Sequence, residues 1–258
     1  MTLPPEDRWI KIFQPRPQAA LRLVCFPYAG GGASVYREWP AGLPEAVEMW
    51  AVQLPGRENR FREEAFRSME PLADEATRVL SARLTPPFAF FGHSMGAALA
   101  FEITRRLCRV GRPLPFHLFV SGRSAPRTPY EEDPIHDLPR EEFFEALRRF
   151  EGTPEEVLQH EELMAMLEPI LRADFSVSET YEYSLDSEPL PVPITVLGGV
   201  RDDEVPVEKL EAWAQETDLG CRRHLLEGGH FFLHERRGEV LDIVGRELAR
   251  HLAPTPAH

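Results

Sequence analysis

Lysine is almost absent from this sequence. Lys11 and Lys209 are the only two among 29 basic residues, and 42 Asp and Glu outweigh them for a net charge of -13. That excess argues against nucleic acid or an anionic membrane as a partner, since either would repel the surface at long range. Arginines can still gather locally. Arg57, Arg60, Arg62 and Arg67 make one candidate basic patch and Arg123 and Arg127 another, with solvated surface arginines as the plainer reading. Cysteine is scarce too. Cys25, Cys108 and Cys221 lie far apart without CxxC spacing, each in an apolar pattern expected to bury a thiol, so neither disulfides nor a metal site are expected. No apolar run is long enough to cross a bilayer, and the start, MTLPPEDRWIKIF, lacks the order of a secretory signal, which makes the cytoplasm the expected location. The three consecutive glycines Gly30-Gly31-Gly32 are followed by neither G-K-[ST] nor GxGxxG spacing, so a nucleotide site is not expected.

What is present is a rhythm. Short apolar runs fit buried strands at Leu21–Phe26, Met49–Leu54, Phe88–Phe91, Phe116–Ser121 and Val192–Leu197, with Cys221–Leu226 as the last strand and an edge strand within 8–13. Helical patterns fall between them: one beginning after Ser34, then Glu70–Leu84, Met95–Val110, Pro206–Thr217 and Arg237–Leu252, with a disordered tail after that. Strand alternating with helix predicts an α/β fold, a mostly parallel central sheet flanked by helices. The rhythm breaks between 125 and 191. There Phe143, Phe144, Leu147 and Phe150 form one helical stripe, and Leu163, Met164, Leu167, Ile170, Leu171 and Phe175 form another, expected to kink at Pro169. A helical excursion that leaves the sheet beyond its central strands can fold back over the strand ends. The expected organisation is therefore one core, 1–124 and 192–258, with an inserted helical lid at 125–191. Phe143, Phe144, Leu147, Met164, Leu167 and Leu171 are the candidate substrate-facing residues.

The chain's chemistry centres on Gly92-His93-Ser94-Met95-Gly96, which fits the G-x-S-x-G nucleophile elbow, flanked by an apolar strand before and a helical pattern after. That turn strains the serine backbone and lifts its hydroxyl clear of the sheet. The Met95 N–H, at a helix N-terminus, then points where an oxyanion would form. A second N–H is expected from the Gly-rich loop after the first core strand, and Ala29 is the candidate by position. Late in the chain, Asp202 and Asp203 follow one strand and His230 follows the last. The order Ser…Asp…His at C-terminal strand ends suits a hydrolytic triad. Spacing alone does not separate Asp202 from Asp203.

Four segments carry a resemblance: Phe26-Pro27-Tyr28-Ala29-Gly30-Gly31, Leu54-Pro55-Gly56-Arg57, Phe91-Gly92-His93-Ser94-Met95-Gly96-Ala97 and Gly228-Gly229-His230-Phe231-Phe232-Leu233. Together, in this order over nearly the whole chain, they resemble the type II thioesterases of the α/β-hydrolase superfamily, stand-alone editing enzymes of polyketide and nonribosomal peptide synthases. The resemblance implies Ser94 and His230 as catalytic and favours Asp202 through the pair Arg201-Asp202 before Val205. It supports Ala29 and Met95 as oxyanion donors and 125–191 as a lid. It also implies a substrate held on the phosphopantetheine arm of an acyl or peptidyl carrier protein. No metal or cofactor of the enzyme's own is implied, and a monomer is expected. The rival reading is a carboxylesterase, lipase or acyltransferase of the same fold acting on small acyl esters.

Overall fold

The computed structural model describes residues 8–129, 133–150, 152, 155–185 and 187–252. Its strands are β1 (Ile10–Lys11), β2 (Leu21–Phe26), β3 (Val47–Val52), β4 (Phe88–His93), β5 (Leu118–Ser121), β6 (Ile194–Gly199) and β7 (Cys221–Leu226). They form one sheet in the order β1-β3-β2-β4-β5-β6-β7, parallel throughout except for β1, which runs antiparallel to β3 at the edge. The helices are α1 (Met69–Ser81), α2 (Met95–Arg109), α3 (Arg140–Arg149), α4 (Glu155–Leu158), α5 (Glu161–Glu179), α6 (Val207–Glu211), α7 (Phe232–Glu235) and α8 (Arg237–Leu252). The tail from 253 onward lies outside the described residues.

Alternation along the strands decides the layering. Val24, Phe26, Phe88, Phe90, Leu118 and Val120 point to the face covered by α1 and α2. Their neighbours Leu23, Cys25, Ala89, Phe91 and Phe119 point to the opposite face, covered by α8 and the turns around Tyr36 and Trp39. Every residue of β3, β4 and β6 is buried, which is why these strands are mostly apolar on both faces, with Glu48, His93 and Thr195 as buried polar exceptions. Between β5 and β6, helices α3, α4 and α5 build a separate small cluster in which Phe143, Leu147, Leu158 and Met164 pack together.

Several expectations differ from the structure for identifiable reasons. After Ser34 there is no α-helix but two single 3₁₀ turns, Ala33–Tyr36 and Trp39–Gly42, because Pro40, Gly42 and Pro44 interrupt any longer helix. The helix expected over Pro206–Thr217 is α6 followed by a 3₁₀ turn at Ala212–Gln215. Helix α5 runs on through Pro169 and Phe175 to Glu179. Cys25 is buried, Cys221 is half-buried and Cys108 is exposed on α2. Cys108 departs from expectation because it sits on the solvent side of a helix whose apolar stripe lies elsewhere. The proposed patch at Arg57, Arg60, Arg62 and Arg67 does not exist as a surface: Arg57 and Arg60 are buried and ion-paired, with Asp174 and Glu63. Arg127 pairs with Glu216. Among the described residues no helix is long and apolar enough to cross a membrane.

Candidate active site

Strand β4 ends at His93, and Ser94 is the single residue between it and α2. Its backbone, at φ 51° and ψ -118°, lies where a residue with a side chain is strained. Two close approaches hold it there. A Cβ at Gly92 would stand 2.1 Å from the Gly96 carbonyl oxygen, and one at Gly96 would stand 2.2 Å from that of Phe26. Only glycine lets α2 leave the sheet this tightly. The Ser94 N–H donates to the Ser121 carbonyl at 2.8 Å, tying the turn to the neighbouring strand end. Met95 opens α2, so its N–H belongs to the first turn, whose donors have no partner within the helix.

The histidine arrives from the other side of the sheet. β7 runs into Glu227-Gly228-Gly229-His230, and His230 is buried except for one edge. Its Nδ1–H donates to Asp202 Oδ2 at 2.9 Å. Asp202, just past β6, is itself oriented by the backbone N–H groups of Glu204 and Val205, which donate to Oδ1 at 3.1 and 3.0 Å. Asp203 points to solvent. The geometry therefore separates the two acids that spacing left equal: a carboxylate must be turned inward and fixed to orient an imidazole, and Asp202 is the one that is.

A further acid meets the same ring. Glu204 Oε2 stands 3.5 Å from His230 Nε2, the nitrogen on the side away from Asp202. Burial acts to lower the His230 pKa, but the Asp202 bond and the Glu204 and Asp202 charges outweigh it, and Arg123 opposes them only weakly, so the imidazole is held above its usual value. Sequence reasoning missed Glu204. It lies within the quoted Arg201–Val205 loop, but nothing in a run of acids says which of them turns toward the ring. His93 braces His230 from below, with ring centroids 5.1 Å apart. It is wholly buried and hydrogen-bonded through Nδ1 to Ser121 Oγ, and burial followed by the His230 charge pushes its pKa far down, which keeps it neutral.

Ser94, His230, Glu204 and Ala29 line one cavity. Its apolar lining includes Leu147, Phe150, Leu171 and Phe175 from the insertion and Val205 and Phe231 from the core, and Arg123, Thr128 and Lys209 add polar lining. Of the six candidate substrate-facing residues, Leu147 and Leu171 line this cavity. Phe143 and Met164 are fully buried among α3 and α5, and Phe144 and Leu167 pack against that same cluster. A helical stripe reveals an apolar face without saying whether a helix or a cavity lies opposite it. Among the described residues no group of three His, Cys, Asp or Glu side chains is placed to hold a metal ion.

Comparison with known proteins gives consistent matches. The thioesterase domain family matches residues 21–248. The gramicidin S biosynthesis protein GrsT of Aneurinibacillus migulanus is 42% identical over 248 residues, covering 96% of each chain. Among solved structures, the type II thioesterase BorB from the borrelidin biosynthetic cluster superposes with a TM-score of 0.85 at 39% identity, over 94% of this chain and 98% of that one. RedJ, the thioesterase from the prodiginine pathway of Streptomyces coelicolor, gives 0.84 at 40% identity, over 90% and 87%.

Proposed function

Because the chain belongs to the thioesterase domain family, with the α/β-hydrolase fold of its structural neighbours, we propose that it is a type II thioesterase of an assembly line. Its substrate is an acyl or peptidyl group held as a thioester on the phosphopantetheine arm of a carrier protein. Its task is to remove aberrant or stalled acyl groups from polyketide or nonribosomal peptide synthesis. The observation that carries the reading is a serine on a strained turn opening into the same cavity as a histidine whose far nitrogen is bonded to a buried carboxylate. The relatives' roles, one in gramicidin S biosynthesis and one in the borrelidin cluster, support the assembly-line setting.

In this reading Ser94 Oγ attacks the thioester carbonyl while His230 Nε2 takes its proton. Asp202 holds the ring's tautomer and stabilises the imidazolium. The N–H groups of Ala29 and Met95 receive the developing oxyanion, each worth on the order of 10²–10³ in turnover. A thiol of pKa about 8.5 leaves readily, and its sulfur takes the proton from the His230 imidazolium as the C–S bond breaks, which returns the ring to its neutral form. Water then enters, gives its proton to His230, and releases the acid from Ser94. No metal or organic cofactor takes part, and the phosphopantetheine leaves with the carrier. Residues 125–191 serve as a lid, with Leu147, Phe150, Leu171 and Phe175 accepting the acyl chain. The enzyme acts as a monomer in the cytoplasm, where its synthase works.

The test uses an acyl-carrier thioester and an oxygen ester of matched chain length. Turnover is expected to favour the carrier thioester, to vanish in Ser94→Ala, and to be lost when a fluorophosphonate labels Ser94. A Ser94→Ala enzyme with full activity, or a preference for the oxygen ester, would overturn the proposal.

A further inference from the structure

A deeply buried ion pair beside the site lies outside the triad, and the insertion supplies half of it. Asp174, on α5, is 2% exposed, and Arg57, in the loop after β3, is 5% exposed. They meet through two parallel bonds: Nη1 donates to Asp174 Oδ2 at 2.5 Å and Nη2 to Oδ1 at 2.8 Å. The same Oδ2 accepts the backbone N–H of Gly30 at 2.7 Å, and Nη1 also donates to the Gly31 carbonyl at 3.1 Å. Both partners therefore grip the segment that follows Ala29. Leu171, one turn earlier on α5, closes on it from the side: a Cβ at Gly30, whose φ is +76°, would stand 2.6 Å from Leu171 Cδ2. Gln53 completes the clamp, accepting the Ala33 N–H at 3.0 Å and donating to the Arg57 carbonyl at 3.2 Å.

From this geometry we infer that Asp174 and Arg57 are positioning residues for the oxyanion loop, so that α5 is part of the catalytic apparatus as well as a wall of the cavity. The inference rests on the reading of Ala29 as an oxyanion donor. The Gly30 N–H that Asp174 holds belongs to the next peptide along, so fixing it sets the backbone on the far side of Ala29. Buried charge pairs contribute little stability over an apolar substitute, because desolvation offsets the attraction. Their use lies in fixed direction, and a bidentate guanidinium–carboxylate contact has it. Here the direction is applied to a loop that must meet an oxyanion within a few tenths of an ångström. Asp174 touches the loop and is not among the residues that line the cavity, so substrate binding there does not require it.

The experiment compares wild type with Asp174→Asn and with the double variant Arg57→Met/Asp174→Leu. Thermal midpoint, kcat, KM and the rate of fluorophosphonate inactivation are read for each. The double variant removes both charges together and replaces them with apolar side chains, so it is expected to stay folded. If the inference holds, kcat and the inactivation rate fall together by about 10- to 100-fold in every folded variant. KM stays within about threefold, since the loss is confined to the transition state. A purely structural role would instead lower the midpoint and leave kcat intact at a temperature well below it. Wild-type kcat in either folded variant overturns the inference. That failure is separable from failure of the functional reading, which would appear as a Ser94→Ala enzyme that still hydrolyses thioester.

Discussion

A histidine held between two carboxylates titrates differently from one held by a single acid. His230 has Asp202 on Nδ1 and Glu204 facing Nε2, with Arg123 opposing them and neutral His93 beneath. Its pKa is raised, and in the proposed mechanism only the neutral ring can accept the Ser94 proton. Activity must therefore fall as pH drops through that raised value. Glu204→Gln removes one of the charges that favour the imidazolium, so the acid limb of kcat/KM is expected to move to lower pH while the plateau above it changes little. A limb that stays in place or moves upward would show that Glu204 has no hold on the ring. At the same scale, Gly96→Ala places a methyl against the Phe26 carbonyl, where only backbone can yield. A loss of about 4 kcal/mol or more is expected by denaturant unfolding, as for other severe core clashes. A near-neutral effect would mean that the turn is looser than its geometry.

Helix α5 joins two environments. Its C-terminal half is tied to the core: Asp174 binds Arg57 and Gly30, Ser176 Oγ donates to the Arg67 carbonyl at 2.8 Å, and Val177 packs into the main cluster. The first half rests on the small cluster of the insertion, and Pro169 leaves the Ala165 carbonyl without its helical donor. Hydrogen exchange is expected to run about tenfold or more slower for amides after 170 than for those between 163 and 168. Uniform protection along the helix would contradict this division. The elements also show where sequence was informative. Leu21–Phe26 and Arg237–Leu252 coincide with β2 and α8, because a buried parallel strand and an amphipathic helix leave distinct periods, and Cys221–Leu226 coincides with β7, the partly exposed strand at the sheet edge. The elbow was legible for a harder reason: its sterics admit only glycine at 92 and 96. The Arg57–Asp174 pair was not, since its partners lie 117 residues apart and an arginine near a loop looks like surface until the fold buries it. The insertion's stripes were read correctly as helices, but which residues face the cavity depends on how α3 and α5 pack against each other.

For the whole molecule, one doubly covered sheet brings together the ends of β4, β6 and β7, from which Ser94, Asp202 and His230 emerge. Strand ends in such a sheet are rigidly spaced, so residues far apart in the chain can act as one unit. The insertion then supplies an apolar wall and, through Asp174, a strut to the loop opposite. The claim that these parts form a single machine is tested most directly by the kinetics of Ser94→Ala, His230→Ala and the double variant on an acyl-carrier thioester, followed by intact-protein mass. If serine and histidine work as a unit, either single change removes nearly all turnover above the uncatalysed rate and the double variant is no worse than either. Losses that multiply in the double variant, or substantial turnover in either single one, would contradict it.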